Sequence, residues 1–123
     1  MKKIKCNHIL VPVDFGMSSL NALQAAVEMA SLHHATIHLL HVTDTDYDLY
    51  GGNSAIERPL LPESIGQLMD LAKSIVEINK IPCNHSSLYG NVTYVILKTA
   101  IDLKADLIVI GKNGTADVLD DYA

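Results

Sequence analysis

The sequence predicts an α/β domain on an open parallel sheet with helices on both faces, and three observations carry that expectation. Short, continuous apolar runs rich in β-branched residues recur along the chain, the pattern of strands buried on both faces. Between them lie longer segments whose apolar residues fall at helical spacing. The two kinds of segment alternate, and parallel strands need crossover connections of this sort.

The first run is His8-Ile9-Leu10-Val11-Pro12-Val13, which stops at Asp14-Phe15-Gly16. Ser18 and Ser19 then offer N-cap oxygens to a helix that carries Leu20, Leu23, Val27 and Ala30 on one face. The second strand, residues 36–42, runs into Asp44, Asp46 and Asp48 and a stretch without periodicity that extends to Pro62. Long loops of this kind are commonly functional. A second helix starts at Pro62 or Glu63, places Ile65, Leu68, Met69, Ala72, Ile75 and Val76 at helical spacing, and ends before Pro82. A weaker strand over residues 84–89 closes at Gly90-Asn91. The third helix buries Val92, Val95, Ile96, Thr99, Ala100 and Leu103, and the strongest strand follows at Asp106-Leu107-Ile108-Val109-Ile110. The order is βαβαβαβ, read as one domain over residues 1–123 without linker or repeat.

Composition narrows the function classes. A chain of 123 residues with 49% hydrophobic and 19% charged residues forms an ordinary globular core. A net charge of −5 disfavours a nucleic-acid partner, and the Lys2, Lys3 and Lys5 cluster reads as a solvated end. Cys6 and Cys83 are far apart and form no metal or redox motif. No signal peptide and no stretch of about 20 apolar residues is present, so a cytoplasmic location without a membrane partner is the expectation.

Ligands of open α/β sheets bind at the carboxyl ends of the strands, where the strand order reverses. Asp14 ends the first strand, and Gly111-Lys112-Asn113-Gly114 follows the last. A carboxylate there can accept hydrogen bonds from ribose hydroxyls, and a glycine turn ahead of a helix N-terminus lets backbone N–H groups approach phosphate. Each feature also has a plain reading, as a helix cap and as a turn.

Taken in order, Ile9-Leu10-Val11-Pro12-Val13-Asp14, Leu39-Leu40-His41-Val42, Gly90 and Ala105-Asp106-Leu107-Ile108-Val109-Ile110-Gly111 resemble the universal stress protein family over about residues 4–115. The resemblance implies a Rossmann-like, adenine nucleotide alpha hydrolase-like fold with strand order 3-2-1-4-5. It implies that Asp14 meets the ribose, that the Val42 backbone reads the adenine edge, and that Pro12, Val13 and Ile110 wall the base. Gly111 and Gly114 match the first pair of the family's G-x-x-G-x(9)-G-[ST] phosphate motif, with Lys112 between them. The sequence stops after residues 115–123, where the next glycine should come, so the Gly-Ser pair, the final helix and the fifth strand are expected to be missing. Either a longer protein completes the motif or the chain ends with an incomplete site; both readings stay open. Asp117, Asp120 and Asp121 follow, and because like charges within a screening length of roughly 8 Å raise the free energy of a bound triphosphate, AMP or adenosine is the expected ligand ahead of ATP.

Enzymatic readings find little support. Walker, Rossmann-glycine and nucleophile-elbow motifs are absent, and Asp14 is the one base identifiable near Gly111, which places slow ATP hydrolysis last. His38 and His41 are three apart on a strand and point to opposite faces, so they cannot share a metal ion, and none is expected. The leading expectation is a non-catalytic stress-response domain binding ATP or AMP. The alternative is a paralogue without nucleotide binding that acts as an interaction module, with Leu107-Ile108-Val109-Ile110 as an exposed edge joining a homodimer or higher oligomer.

Overall fold

The structure is a computed structural model and describes residues 6–14, 17–44, 62–112 and 115–119. Within them the chain runs β1 (His8–Pro12), α1 (Met17–His33), β2 (Thr36–Asp44), α2 (Pro62–Asn79), β3 (Cys83–Gly90), α3 (Val92–Leu103), β4 (Leu107–Lys112) and β5 (Thr115–Leu119). The strands form one sheet in the order β3-β2-β1-β4-β5. Its first four strands are parallel, and β5 is antiparallel to β4. The loop between Asp44 and Pro62 lies outside the described residues.

Alternation along the strands divides the core in two. Ile9, Val11, Ile37, Leu39, Leu107 and Val109 face α1 and α2, where Ala22, Leu23, Ala26, Leu68, Ala72 and Ile75 close over them. Leu10, Leu40 and Ile108 face the other way, against Val95 and Ala100 of α3. Small residues on α1 let that helix sit close to the central strands. Its buried stripe is Ser19, Ala22, Leu23, Ala26 and Ala30, whereas Leu20 is exposed. The apolar stripe expected on α1 is therefore rotated by part of a turn. On α3, Val92 and Leu103 likewise lie at the exposed margin.

β3 has the weakest strand pattern because it is an edge of the described sheet: its residues are at most half-buried, and among the described residues it pairs on one side only, with β2. At its end Gly90 adopts φ +146°, and Asn91 caps α3 by accepting the Tyr94 N–H on Oδ1 at 3.0 Å.

The last part of the chain corrects three expectations. A fifth strand is present, so it is not missing. It arrives by a two-residue connection, because Lys112 pairs with Thr115 and leaves only Asn113 and Gly114 between the strands. Gly111 and Lys112 consequently belong to β4 and continue its ladder, Gly111 opposite Ala116, and among the described residues no helix follows them. Leu107-Ile108-Val109-Ile110 is not an edge, since β1 flanks it on one side and β5 on the other. Edge pairing through residues 107–110 is therefore excluded by the sheet itself.

Candidate functional site

The strand order places β1 at the reversal point: the chain steps outward to β2 and β3, then crosses back to β4 on the other side of β1. A cavity of about 270 Å³ opens at the carboxyl ends of these strands. Pro12, Val13, Asp14, Val42, Ile110 and Gly111, all expected at the site, line it together. The backbone of Lys112 closes β4, opposite Thr115, and its side chain lies outside what is described. Gly114 lies outside the described residues.

Four further residues line the cavity that the sequence reading did not assign to it: Ser19, Leu40, Val92 and Ile96. Val92 and Ile96 are one helical turn apart at the start of α3, so their spacing after Gly90 carried the signal. Leu40 was hidden inside an apolar strand. Its place ahead of an apolar stripe makes Ser19 an N-cap candidate; instead α1 begins at Met17, and the Ser19 side chain turns inward.

Backbone geometry adds two polar groups. The β1–β2 register ends at Pro12 opposite Leu40, and the Val13 N–H still donates to the Leu40 carbonyl at 2.8 Å. Residues two apart in a strand turn their N–H and C=O to the same side. Val42 therefore directs a donor and an acceptor toward the space beyond the end of β1, which is the cavity. A donor beside an acceptor at fixed spacing suits the edge of a planar nitrogen heterocycle.

The exposed Asp14 carboxylate stands at the rim. The Asp14 N–H donates to Ser19 Oγ at 3.2 Å, tying the loop after β1 to the first turn of α1. On the opposite face of the sheet, burial pushes the His41 imidazole below its usual range, and the Asp14 charge works against that shift. The cavity walls are otherwise apolar, so its chemistry is shape for a flat apolar body plus a few fixed polar contacts.

His38 and His41 do take opposite faces, and His38 Nε2 is hydrogen-bonded to Ser86 Oγ at 2.9 Å. Among the described residues no three His, Cys, Asp or Glu side chains converge as a metal site would require. Cys6 and Cys83 are both free thiols.

A mostly parallel five-stranded sheet with helices on both faces and a cavity at its switch point defines a Rossmann-like α/β domain of the adenine nucleotide alpha hydrolase-like fold. The sequence profile of the universal stress protein family matches residues 5–120, and the chain belongs to that family. It is 29% identical over 114 residues to universal stress protein A homolog 1 of Coxiella burnetii, covering 87% of this chain and 76% of that protein. The solved structure of the universal stress protein UspA of Lactobacillus plantarum superposes with a TM-score of 0.69 at 21% identity, covering 90% of this chain and 82% of that one. An Arabidopsis thaliana universal stress protein with AMP bound gives a TM-score of 0.60 at 17% identity, covering 88% and 77%. A universal stress protein in complex with cAMP gives 0.59 at 17% identity, covering 83% and 69%. These three structural likenesses concern the fold. Within the described residues no helix is long and apolar enough to cross a membrane.

Proposed function

We propose that this chain is a non-catalytic, cytoplasmic stress-response domain that binds an adenine nucleotide at the carboxyl edge of its sheet. The observation that carries the reading is the meeting of Pro12, Val13, Asp14, Val42, Ile110 and Gly111 around one cavity. In it the base lies between Pro12, Val13 and Ile110, its edge meets the Val42 backbone, and the ribose hydroxyls donate to Asp14. The structural neighbours solved with AMP and with cAMP support an adenine ligand.

Size and charge favour the lighter ligands. At about 270 Å³ the cavity is near the lower limit of roughly 300–1,000 Å³ for small-molecule sites. Gly111 is engaged in a ladder with β5, and the following segment carries Asp117, Asp120 and Asp121, so AMP or adenosine is held in preference to ATP. With Asp14 given to the ribose, no general base stands at the cavity among its described lining residues. Calorimetric titration of the purified chain with ATP, AMP and adenosine, with Asp14→Ala as control, tests the reading. Saturable binding of AMP or adenosine that Asp14→Ala weakens is expected. No binding up to millimolar ligand, or binding indifferent to Asp14, overturns it.

A second reading, an interaction module joining copies of this chain, is favoured by β5. It is the outer strand of the described sheet, and Val118 and Leu119 are exposed on it. Light scattering at high concentration should give at least twice the 13.4 kDa monomer mass; a monomer ends this second reading.

A further inference from the structure

Ser19 is the buried polar side chain of the described core, 5% exposed among Ala22, Leu23 and Ala26 on the inner stripe of α1. Alanine would suit that position better on propensity and on desolvation, because a buried hydroxyl is costly unless it is hydrogen-bonded. Its Oγ accepts the Asp14 N–H at 3.2 Å, and both residues line the same cavity. The preceding N–H, on Val13, is held at 2.8 Å by the Leu40 carbonyl. Two consecutive peptide N–H groups are thus anchored from different elements, Val13 by the neighbouring strand and Asp14 by the helix. The Cα that carries the Asp14 carboxylate follows directly from that second anchor.

We infer that Ser19 is a positioning residue: it fixes the Asp14 backbone so that the carboxylate is presented to vicinal ligand hydroxyls, and it thereby sets selectivity for a hydroxylated sugar. The inference rests on the proposed adenine site and names what that site discriminates. A fixed carboxylate meets two adjacent hydroxyls without ordering a loop on binding, whereas a loose one must be ordered at a cost in affinity. A ligand without those hydroxyls gains nothing from the anchor.

The test compares adenosine with 2′,3′-dideoxyadenosine by calorimetry on the full chain, in wild type, Ser19→Ala and Ser19→Thr, with far-ultraviolet circular dichroism confirming the fold of each. Wild type should prefer adenosine. Ser19→Ala should weaken adenosine about tenfold, equivalent to about 1.4 kcal/mol, and change dideoxyadenosine by less than twofold. Ser19→Thr, which keeps the hydroxyl, should restore the preference. If Ser19→Ala does not fold, Ser19→Cys takes its place with the same expected loss, because sulfur is a weak acceptor. An equal loss for both ligands makes Ser19 merely structural and overturns the inference while leaving the adenine site standing. Unchanged adenosine affinity in Ser19→Ala does the same. Absence of adenosine binding in wild type removes the adenine site and the inference with it.

Discussion

Asp106 and His8 hold each other through two hydrogen bonds: the Asp106 N–H donates to the His8 carbonyl at 2.8 Å, and Asp106 Oδ2 accepts the His8 N–H at 3.0 Å. The same oxygen accepts the Asn7 N–H at 2.7 Å. The β1–β4 ladder begins one residue later, at Ile9 opposite Leu107, so this clamp sets the register of the two central strands from their amino ends. Its side chain substitutes for backbone partners that an approach to a strand normally lacks.

Asp106→Ala should therefore destabilise the fold by about 1–2 kcal/mol, the range for bonds to a charged acceptor discounted for partial exposure. Asp106→Asn keeps an acceptor and should lose less. Urea unfolding reads both as a lower midpoint at unchanged slope. A midpoint equal to wild type in Asp106→Ala would show that the clamp contributes nothing.

Gly90 combines a backbone φ of +146° with close packing, because a Cβ added there would lie 2.7 Å from Val95 Cγ2. Gly90→Ala should cost about 1–3 kcal/mol from strain and contact together. Removing the contact separately, in a Val95→Ala background, should shrink the Gly90→Ala increment without abolishing it. Equal increments in the two backgrounds would rule out the contact as a cause.

His38 is half-buried, and burial, then His85 and His8, lower its pKa from the usual imidazole range. Between that lowered value and about 6.5 the unfolded chain binds a proton that the folded chain refuses. Stability is thus full above about pH 6.5 and falls as the pH drops toward the folded value, then levels below it. His41 acts in the same direction. Thermal midpoints across this window should decline in wild type and decline less in His38→Gln. A His38→Gln curve parallel to wild type would assign the slope elsewhere.

Burial pushes the Cys83 thiol from 9.0 up to about 11, and its Sγ–H donates to the Asn84 carbonyl at 3.6 Å. Two pH units reduce the thiolate fraction on the order of a hundredfold at neutral pH. In a Cys6→Ala chain, alkylation by iodoacetamide should be slow in buffer and fast in urea. Comparable rates in the two conditions would mean that Cys83 is not protected.

The central strands were readable because burial on both faces leaves continuous apolar runs, as in residues 8–13 and 106–110. The helices followed from spacing, although Leu20 and Val92 show that periodicity places a stripe only to within part of a turn. The lining of the cavity was partly readable through Asp14, Val42 and Gly111, which lie within two residues of the carboxyl ends of strands. β5 was not read. Thr115-Ala116-Asp117-Val118-Leu119 has neither an apolar run nor a clean alternation. Its signal lay in the connection, since Asn-Gly between strands is a strong hairpin cue. The same glycine also fits a phosphate motif, and that assignment concealed the hairpin. Ser19 escaped because a serine at the start of a helix is ordinarily a cap, and only burial distinguishes an inward hydroxyl from an outward one.

The antiparallel course of β5 has a practical side. Leu119 pairs with Ile108, near the amino end of β4, whereas Thr115 pairs with Lys112 at the carboxyl end where the cavity opens. A reporter or affinity handle grafted after Leu119 would leave from the far end of the strands, about 13–17 Å from the cavity mouth at strand spacing. The sequence has no tryptophan, so a single one introduced at Val92 would report ligand entry against a dark background. Cargo at one end and an optical probe at the other would then leave each other undisturbed.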